Sequence, residues 1–231
     1  MENKTSKQNQ LNHLALIIDG NRRWAKIRNL KPWEGHRAGA ENVDKLLEWC
    51  LELNIKEVTI YTLSTENLKR DKTELGFLFK LFKEWFRKFE NDKRVKENRV
   101  RIKFIGNLSL VPKGIKNLAE RIEKETSKYN NFRLNFCFAY GGRLELLEAF
   151  NKLKNKKGKI NEKDITKNLW LPSEPDLIIR TGNRERTSNF LPWQSIYSEW
   201  IFLKKLWPDF TKKDLLECIK EFSLRKRNFG K

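Results

Sequence analysis

Short apolar runs alternate along this chain with longer stretches in which apolar residues recur every three or four positions. Each run is too brief for a buried helix and is bounded by polar residues or glycine, a pattern typical of strands inside a sheet. The runs predict strands at 14–18, 58–63, 100–105, 132–139, 177–179 and 200–203. The periodic stretches predict helices at 38–53, 73–96, 115–129, 144–153 and 212–222.

The order of these elements predicts the fold class. Strands that alternate with helices favour a parallel sheet whose crossover helices cover both of its faces. The 231 residues show no break in composition, so a single domain is expected. We therefore predict one α/β domain over residues 13–231, mainly a parallel six-stranded sheet flanked by helices, after a disordered lead-in at residues 1–12.

The helix predicted at 73–96 carries more aromatic residues than one core-facing stripe requires. An amphipathic helix covers a core with a stripe about 100° wide. Here the aromatic residues occupy more than one face: Phe77, Phe79, Phe82, Trp85, Phe86 and Phe89. Two interpretations stay open. The helix is either an unusually aromatic core helix or one that also packs on a second apolar partner, such as a subunit or a ligand.

Two polar clusters follow predicted strands. The sequence D-G-N-R-R-W begins at Asp19, and R-T-G-N-R-E-R-T-S-N begins at Arg180. Open α/β sheets bind ligands outside the carboxyl ends of their strands, and arginine side chains beside hydroxyl groups and glycine suit phosphate oxygens. The two clusters together predict a phosphate site, most simply a site for diphosphate.

The titratable residues near the first cluster have several open roles. Asp19 can cap a helix, pair with an arginine, or bind Mg²⁺ together with a diphosphate, because Mg²⁺ takes one or two carboxylates and leaves its other positions to substrate oxygens and water. His36, in E-G-H-R-A-G, either donates to a phosphate or is structural.

Two further clusters follow strands. The sequence S-T-E-N-L-K-R runs from Ser64 to Arg70. A capping box on Ser64 or Thr65 would explain its hydroxyl groups, but it would leave Asn67 and Arg70 unexplained. The sequence Y-G-G-R at 140–143 predicts a tight turn into the next helix.

The charge of the chain raises nucleic acid and anionic membranes as possible partners. Lys and Arg total 49 against 30 acidic residues, a formal net charge of +19. Most lysines are spread over predicted helices, and we interpret the densest group, at 152–163, as a solvated loop. Because no base-stacking platform accompanies the charge, nucleic-acid binding is not expected. Three widely spaced cysteines indicate a reducing, intracellular compartment, and no apolar run is long enough to cross a bilayer.

The clusters, in this order, resemble the motifs of the cis-prenyltransferase family, the undecaprenyl diphosphate synthase-like enzymes. The similarity covers about residues 14–230 and rests on D-G-N-R-R-W, G-H-x-A-G, S-T-E-N with Arg70, Y-G-G-R, and R-T-G-x-x-x-R-x-S-N-F-x-x-W-Q. It implies a Mg²⁺-dependent transferase with a hydrophobic tunnel. Such an enzyme condenses isopentenyl diphosphate onto an allylic prenyl diphosphate and makes a long Z-polyprenyl diphosphate, a lipid-carrier precursor. The resemblance also implies a cytoplasmic homodimer that associates peripherally with the inner face of the membrane.

The resemblance assigns roles to the matching positions. Asp19 is expected to bind the metal, with Glu199 as a second contributor, and Asp19, His36 and Asn67 form the expected catalytic group. The expected substrate-binding residues are Gly20, Asn21, Arg22, Arg23, Trp24, His36, Ser64, Glu66, Arg70, Arg180, Arg186 and Ser188. Those of the first cluster face the allylic diphosphate, whereas Arg70 and the 180–188 cluster face isopentenyl diphosphate. The aromatic helix is expected to form one wall of the tunnel.

Four positions depart from the family pattern. Pro32 replaces an arginine of the family pattern, and Leu68 replaces an aromatic residue. Ala139 replaces an asparagine, and Asn183 replaces a glycine. None of these changes removes the aspartate or the arginines of the two main clusters, so an active enzyme is expected. The alternative is a non-catalytic partner subunit of a cis-prenyltransferase complex. The sequence leaves open the product length and the choice among geranyl, farnesyl and geranylgeranyl primers.

Overall fold

A computed structural model describes residues 10–226, which form one six-stranded, all-parallel sheet in the order β3-β4-β2-β1-β5-β6. The strands are β1 (His13–Ile17), β2 (Glu57–Ser64), β3 (Val100–Ile105), β4 (Phe132–Tyr140), β5 (Leu177–Arg180) and β6 (Glu199–Phe202). The helices are α1 (Asn21–Lys26), α2 (Pro32–Glu52), α3 (Lys72–Asn91), α4 (Lys93–Glu97), α5 (Lys113–Thr126), α6 (Gly142–Leu153), α7 (Glu162–Asn168) and α8 (Lys212–Leu224). The predicted α/β class is confirmed, and each predicted strand is present to within one residue at either end.

The helices differ more from the prediction than the strands do. Helix α2 begins at Pro32, six residues before the predicted start at 38, because proline suits the first helical position, where its missing N–H is not needed. The helix predicted at 73–96 is broken at Asp92, whose carboxylate accepts hydrogen bonds from the Arg94 backbone (2.9 Å) and side chain and so starts α4. Helices α1 and α7 span less than two full turns, too short to show a helical period in the sequence.

The central strands are apolar on both sides because helices and loops cover both faces of the sheet. In β1, Leu14 and Leu16 pack into the larger core with residues of α2, α3, α5 and α8, whereas Ala15 and Ile17 pack into a smaller core with Tyr140. Burial on both faces replaces the usual alternation of apolar and polar residues by a continuous apolar run. The carboxyl ends of β1, β2 and β5 therefore lie side by side, with Ile17 beside both Tyr61 and Arg180.

The chain ends bear on two sequence predictions. Residues 1–9 of the predicted lead-in lie outside the described residues, whereas Leu11 packs on the core and the Asn12 N–H donates to Asp176 Oδ2 at 3.0 Å. The basic C-terminal segment lies outside the described residues beyond 226. Within residues 10–226, every helix is too short or too polar to cross a bilayer.

A buried polar cluster at the amino ends of the strands stabilises the sheet. Glu57 is 2% exposed and accepts hydrogen bonds from Arg133 (2.7 Å), Asn135 (2.9 Å) and Ser173 (2.6 Å). Burial raises the pKa of Glu57, but the charge that His13 carries at acidic pH, the hydrogen bonds from Ser173 and Asn135 and the charge of Arg133 outweigh it and hold the pKa below its usual value. Burial lowers the pKa of neighbouring His13, so this histidine is neutral at pH 7 and the arginine is the charged partner.

Replacing Glu57 by Gln should lower the free energy of unfolding at pH 7 by about 2 kcal/mol, because a buried hydrogen-bonded charge pair is broken. A carboxyl whose pKa is depressed in the folded protein stabilises it above the unfolded-state pKa of about 4.3 and loses that effect as pH falls through the folded-state pKa. The difference between wild type and Glu57→Gln in urea unfolding should therefore shrink below that pH. Glu120→Gln, at an exposed pair with Lys116, serves as the control and should change the free energy by less than about 0.5 kcal/mol.

Candidate active site

The carboxyl ends of β1, β2 and β5 open into a cavity of about 940 Å³. Ligand-binding cavities commonly enclose about 300 to 1,000 Å³. One side of the cavity is polar and the other apolar. The residues predicted from sequence that line it are Asp19, Gly20, Asn21, Arg22, Arg23, His36, Ser64, Asn67, Arg70, Arg180 and Ser188.

Asp19 lies between two arginines at the end of β1. Its Oδ1 is 3.2 Å from Arg23 Nη2 and its Oδ2 is 3.1 Å from Arg180 Nη2. The first residue of α1 follows Gly20, which caps the helix without a side-chain bond, so Asp19 does not act as the cap. Of the three roles open from sequence, pairing with arginine is the one observed.

Two glycines of the G-H-x-A-G motif bring α2 against the start of α1. A Cβ atom at Gly35 would lie 2.1 Å from the Asn21 carbonyl oxygen, and one at Gly39 would lie 2.3 Å from Asn21 Oδ1. Real Cβ atoms do not approach oxygens this closely, so Gly35, which meets backbone, excludes larger residues, whereas a larger residue at Gly39 would require the Asn21 side chain to move. The motif therefore has a packing role that fixes the first cluster relative to His36.

Glu74, in the first turn of α3, connects three residues of the site. Its carboxylate lies 3.1 Å from Arg70 Nη1, 3.7 Å from Arg22 Nη1 and 3.5 Å from His36 Nε2. Sequence reasoning missed this residue. The available signal was its position four residues after Arg70, the spacing at which opposite charges meet on one side of a helix.

His36 is neutral at physiological pH. Burial and the positive charge of Arg70 lower its pKa to about 4, against the opposing charge of Glu74. Nε2 is buried and has no hydrogen-bond partner among residues 10–226. A neutral imidazole has one donor and one acceptor nitrogen, so His36 can accept or donate a hydrogen bond at the cavity that it lines.

Replacing Glu74 by Gln should raise the KM for the diphosphate substrate that the family resemblance places at Arg70 about tenfold, because Arg70 and Arg22 lose the carboxylate that orients them. The same change should lower the pKa of His36 below about 4, since it removes the negative charge that favours the imidazolium. Steady-state kinetics and NMR titration of the imidazole measure the two effects. The control is Glu84→Gln on the exposed side of α3, and an unchanged KM and imidazole pKa in Glu74→Gln would contradict the assignment.

Arg180 connects β5 to the second cluster. It is 5% exposed, and its Nη1 donates to Ser188 Oγ at 2.6 Å and to the Arg186 carbonyl oxygen. The segment that follows it has positive φ at four residues other than glycine: Asn183, Ser188, Asn189 and Leu191. Such conformations are costly and persist where surrounding contacts impose them, commonly at functional sites.

The third and fourth clusters support this strained segment. Asn189 Nδ2 donates to Glu66 Oε1 at 3.0 Å, and its Oδ1 accepts from the Arg143 N–H at 2.9 Å. Ser64 and Asn67 hydrogen-bond reciprocally through backbone N–H groups and side-chain oxygens, at 3.1 and 3.2 Å. The capping interaction on Ser64 is present with Asn67 as its partner, so, contrary to the expectation from sequence, it also accounts for Asn67 and holds that residue at the wall of the cavity.

Four residues predicted for the site do not line the cavity. Trp24 donates from Nε1 to Asp209 Oδ1 at 2.7 Å, and Arg186 is exposed and contributes its carbonyl oxygen to Arg180. Glu66 holds Asn189, as described above. Glu199 lies at the amino end of β6, where its carboxylate is 2.7 Å from Arg225 Nη1. The residue of β6 that pairs with Arg180 is Phe202, three residues further on, so Glu199 lies about 10 Å along the strand from that end.

Helix α3 contributes side chains to both the core and the cavity, so its role as a core helix is confirmed and a second apolar partner stays a prediction. Phe86 and Phe89 pack against aromatic side chains of β3 and β4 in the core. The apolar side of the cavity is lined by Leu78, Leu81, Phe82 and Trp85 of α3 and by Ala40 and Val43 of α2.

The donor set around Asp19 fits Mg²⁺ bound jointly with a diphosphate. Each carboxylate oxygen has one arginine partner, which leaves further lone pairs on both oxygens. In residues 10–226 there is no group of three or more His, Cys, Asp or Glu that could hold a metal. A single carboxylate suits a Mg²⁺ ion whose other ligands are substrate oxygens and water.

The departures from the family pattern have physical consequences. Asn183 takes a φ of 54°, which asparagine tolerates better than most residues, so it can replace a glycine. Ala139 takes a φ of 50° where the family has asparagine. Alanine tolerates this conformation less well than asparagine does, so the backbone is strained at this position. Leu68 packs against the core. Pro32 lies at the cavity rim with Lys26 and Lys31, which bring positive charge where the family arginine is missing.

The geometry agrees with comparisons to known proteins. Residues 17–230 match the family model described as putative undecaprenyl diphosphate synthase. The chain is 44% identical to the tritrans,polycis-undecaprenyl-diphosphate synthase (geranylgeranyl-diphosphate specific) of Pyrococcus furiosus over 228 residues, 95% of this chain and 86% of the relative. It is 41% identical to the enzyme of the same name from Methanopyrus kandleri, covering 100% of this chain and 89% of the relative.

Two solved structures share the fold. Lavandulyl diphosphate synthase from Lavandula x intermedia, in complex with dimethylallyl diphosphate, superposes with a TM-score of 0.89 at 31% identity, covering 96% of this chain and 98% of that one. A probable undecaprenyl diphosphate synthase from Campylobacter jejuni gives a TM-score of 0.83 at 36% identity, covering 96% and 100%. The match over nearly the whole chain, in sequence and in fold, shows that this protein belongs to the undecaprenyl diphosphate synthase family, the cis-prenyltransferases.

Proposed function

We propose that this cis-prenyltransferase adds isopentenyl diphosphate units to geranylgeranyl diphosphate and makes a long Z-polyprenyl diphosphate. The observation that carries the proposal is the contact between Asp19 and Arg180 at the polar end of a cavity whose other end is apolar. The primer follows from the names of the archaeal relatives, which are specific for geranylgeranyl diphosphate.

The reaction requires two diphosphates to be held in register. The double bond of isopentenyl diphosphate attacks C1 of the allylic substrate, and the C–O bond to the allylic diphosphate breaks with its electron pair leaving on oxygen. A proton then leaves C2 of the isopentenyl unit and the new Z double bond forms. Positioning and stabilisation of the leaving charge therefore provide most of the catalysis.

The first cluster binds the allylic diphosphate. Arg22 and Arg23 line the cavity beside Asp19 and supply the positive charge that the leaving diphosphate needs. Asp19 would hold Mg²⁺, which neutralises part of the diphosphate charge when it is bound. Lys26 and Lys31 extend this positive wall towards the rim.

The second cluster binds isopentenyl diphosphate. Arg180 and Ser188 are already hydrogen-bonded to each other, and Arg70 approaches the same cavity from the end of β2. Arg180 Nε is buried and lacks a partner among the described residues, a deficit that a diphosphate oxygen would remove. Arg186 is exposed nearby and would join this clamp by reorienting its side chain, as the family pattern implies.

His36 and Asn67 lie between the two anion sites. Both line the cavity, and because His36 is neutral it can accept or donate a hydrogen bond at a phosphate oxygen without adding charge. The apolar walls from α2 and α3 receive the growing chain and form the tunnel that the family resemblance predicts. Glu199 as a metal ligand stays a prediction.

The assembly and location of the enzyme belong to the same proposal. Strand β6 is an edge of the described sheet, and Ile196 and Phe202 beside it are 72% and 37% exposed. An open edge with exposed apolar side chains suits a homodimer joined through β6. We place the enzyme in the cytoplasm, at the inner face of the membrane that takes up its product. The non-catalytic partner role is disfavoured because the aspartate and the arginines of both anion sites are kept.

Incubation of the purified enzyme with labelled isopentenyl diphosphate and each primer tests the function. Geranylgeranyl diphosphate should give the highest kcat/KM, and mass spectrometry should show a series of products spaced by one isoprene unit. EDTA should abolish incorporation, and excess Mg²⁺ should restore it. Absence of butanol-extractable product with geranyl, farnesyl and geranylgeranyl diphosphate alike would reject the proposal.

A further inference from the structure

The connection between α1 and α2 alternates basic and apolar side chains at the rim of the cavity. We call residues 26–33, with the sequence K-I-R-N-L-K-P-W, the rim segment. Its apolar side chains are unusually accessible: Ile27 is 67% exposed, Trp33 42% and Leu30 38%. Lys26, Lys31 and Leu30 also line the cavity, so the segment forms part of the cavity wall.

The charge of the rim segment is mostly uncompensated. Arg28 is held by Asp209 (3.0 Å) and stacks over the Trp24 ring at 4.3 Å. In the part of the chain that the structure describes, neither Lys26 nor Lys31 has a carboxylate oxygen within 4.0 Å of its ammonium group. Two free cations therefore flank the exposed apolar residues.

We propose that the rim segment docks on an anionic lipid bilayer. Exposed Ile and Trp side chains insert into the boundary between headgroups and acyl chains, while lysines remain at the headgroup level and attract anionic lipids. The chain as a whole carries a net charge of +19, which complements such a surface. The inference rests on the proposed function, because a bilayer at the rim would receive the polyprenyl chain as it leaves the cavity.

A second exposed apolar pair helps to distinguish binding through a specific surface from non-specific adsorption of apolar side chains to the bilayer. Leu147 (60% exposed) and Phe150 (45% exposed) lie on α6, away from the residues that line the cavity. Arg143 and Lys154 lie one helical turn to either side of the pair, so it differs from the rim segment in its position on the protein and not in the presence of cationic flanks. It provides a matched control with the same number of apolar side chains.

Vesicle co-sedimentation of the full-length enzyme tests the docking surface. We expect the enzyme to bind phosphatidylglycerol vesicles strongly and phosphatidylcholine vesicles weakly. Binding to phosphatidylglycerol vesicles should fall steeply as the salt concentration increases. Ile27→Ser with Trp33→Ser should weaken the binding at least tenfold, whereas Leu147→Ser with Phe150→Ser should change it less than twofold. Lys26→Gln with Lys31→Gln should weaken it similarly, while Lys154→Gln with Lys157→Gln, in the basic loop before α7, should have little effect. Circular dichroism melting of each variant checks that it is folded.

Three results would overturn the proposal. The wild type could fail to bind anionic vesicles, both apolar double variants could lose binding equally, or sedimentation could show that Ile27→Ser with Trp33→Ser dissociates an oligomer, which would assign the surface to a second copy of the chain. Turnover in detergent solution is measured in parallel. Vesicle binding without turnover would reject the proposed function and keep the docking surface. Turnover without vesicle binding would keep the proposed function and reject the docking surface.

Discussion

Asp19→Asn is expected to lower kcat for chain elongation by about a thousandfold or more, a loss of roughly 4 kcal/mol in transition-state stabilisation. The amide keeps the shape of the side chain but cannot hold Mg²⁺ against the diphosphate, and it no longer balances the charges of Arg23 and Arg180. Because the negative charge on the departing diphosphate grows in the transition state, the loss should fall on kcat more than on KM.

The response to metal separates this role of Asp19 from a structural one. Wild-type activity should rise with Mg²⁺ concentration, whereas the residual activity of Asp19→Asn should not. Asp164→Asn, on α7 and paired with Lys156, is the control and should keep wild-type kinetics. A variant within tenfold of the wild-type kcat and still activated by Mg²⁺ would show that Asp19 does not bind the metal.

Arg180→Lys is expected to raise the KM for isopentenyl diphosphate about a hundredfold, close to 3 kcal/mol of lost binding. The guanidinium reaches Ser188 with one nitrogen and Asp19 with the other, and a single ammonium group cannot reproduce this fork. Because Arg180 is 5% exposed, the replacement also places an ammonium group with fewer hydrogen bonds in a buried position.

The effect should be confined to one substrate. The KM for the allylic primer should change less than about fivefold, since Arg22 and Arg23 remain in place, although the shared contact with Asp19 should lower kcat as well. Arg184→Lys, an exposed residue of the same segment, is the matched control and should leave both KM values unchanged. Equal losses for both substrates would mean that the two anion sites are not separate.

The strands and the strand-end clusters could be predicted from sequence because their signals are local. A continuous apolar run such as 177–179 marks a strand buried on both faces, and a parallel sheet brings the residues after each strand to one edge. This reasoning placed Asp19 and Arg180, separated by 161 residues, in one site, and the structure has them in contact. The family motifs added roles that geometry alone does not assign.

The rest depended on contacts that a single sequence does not encode. Glu74 resembles any surface acid until folding brings Arg22 of α1 and His36 of α2 to it. Trp24 lies within a predicted motif, yet the turn of α1 directs its indole to Asp209 and away from the cavity. Asp92 ends a long aromatic helix by capping the next one, which overrides a helical pattern that continues to residue 96.

A crystal structure with Mg²⁺, isopentenyl diphosphate and an allylic thiodiphosphate, whose C–S bond breaks slowly, tests the central claim most directly. Our account predicts two diphosphates in the cavity, one against Asp19, Arg22 and Arg23 and the other against Arg180 and Ser188, with the allylic hydrocarbon between α2 and α3. Density for a single diphosphate that spans both clusters, or for the hydrocarbon outside the cavity, would contradict it.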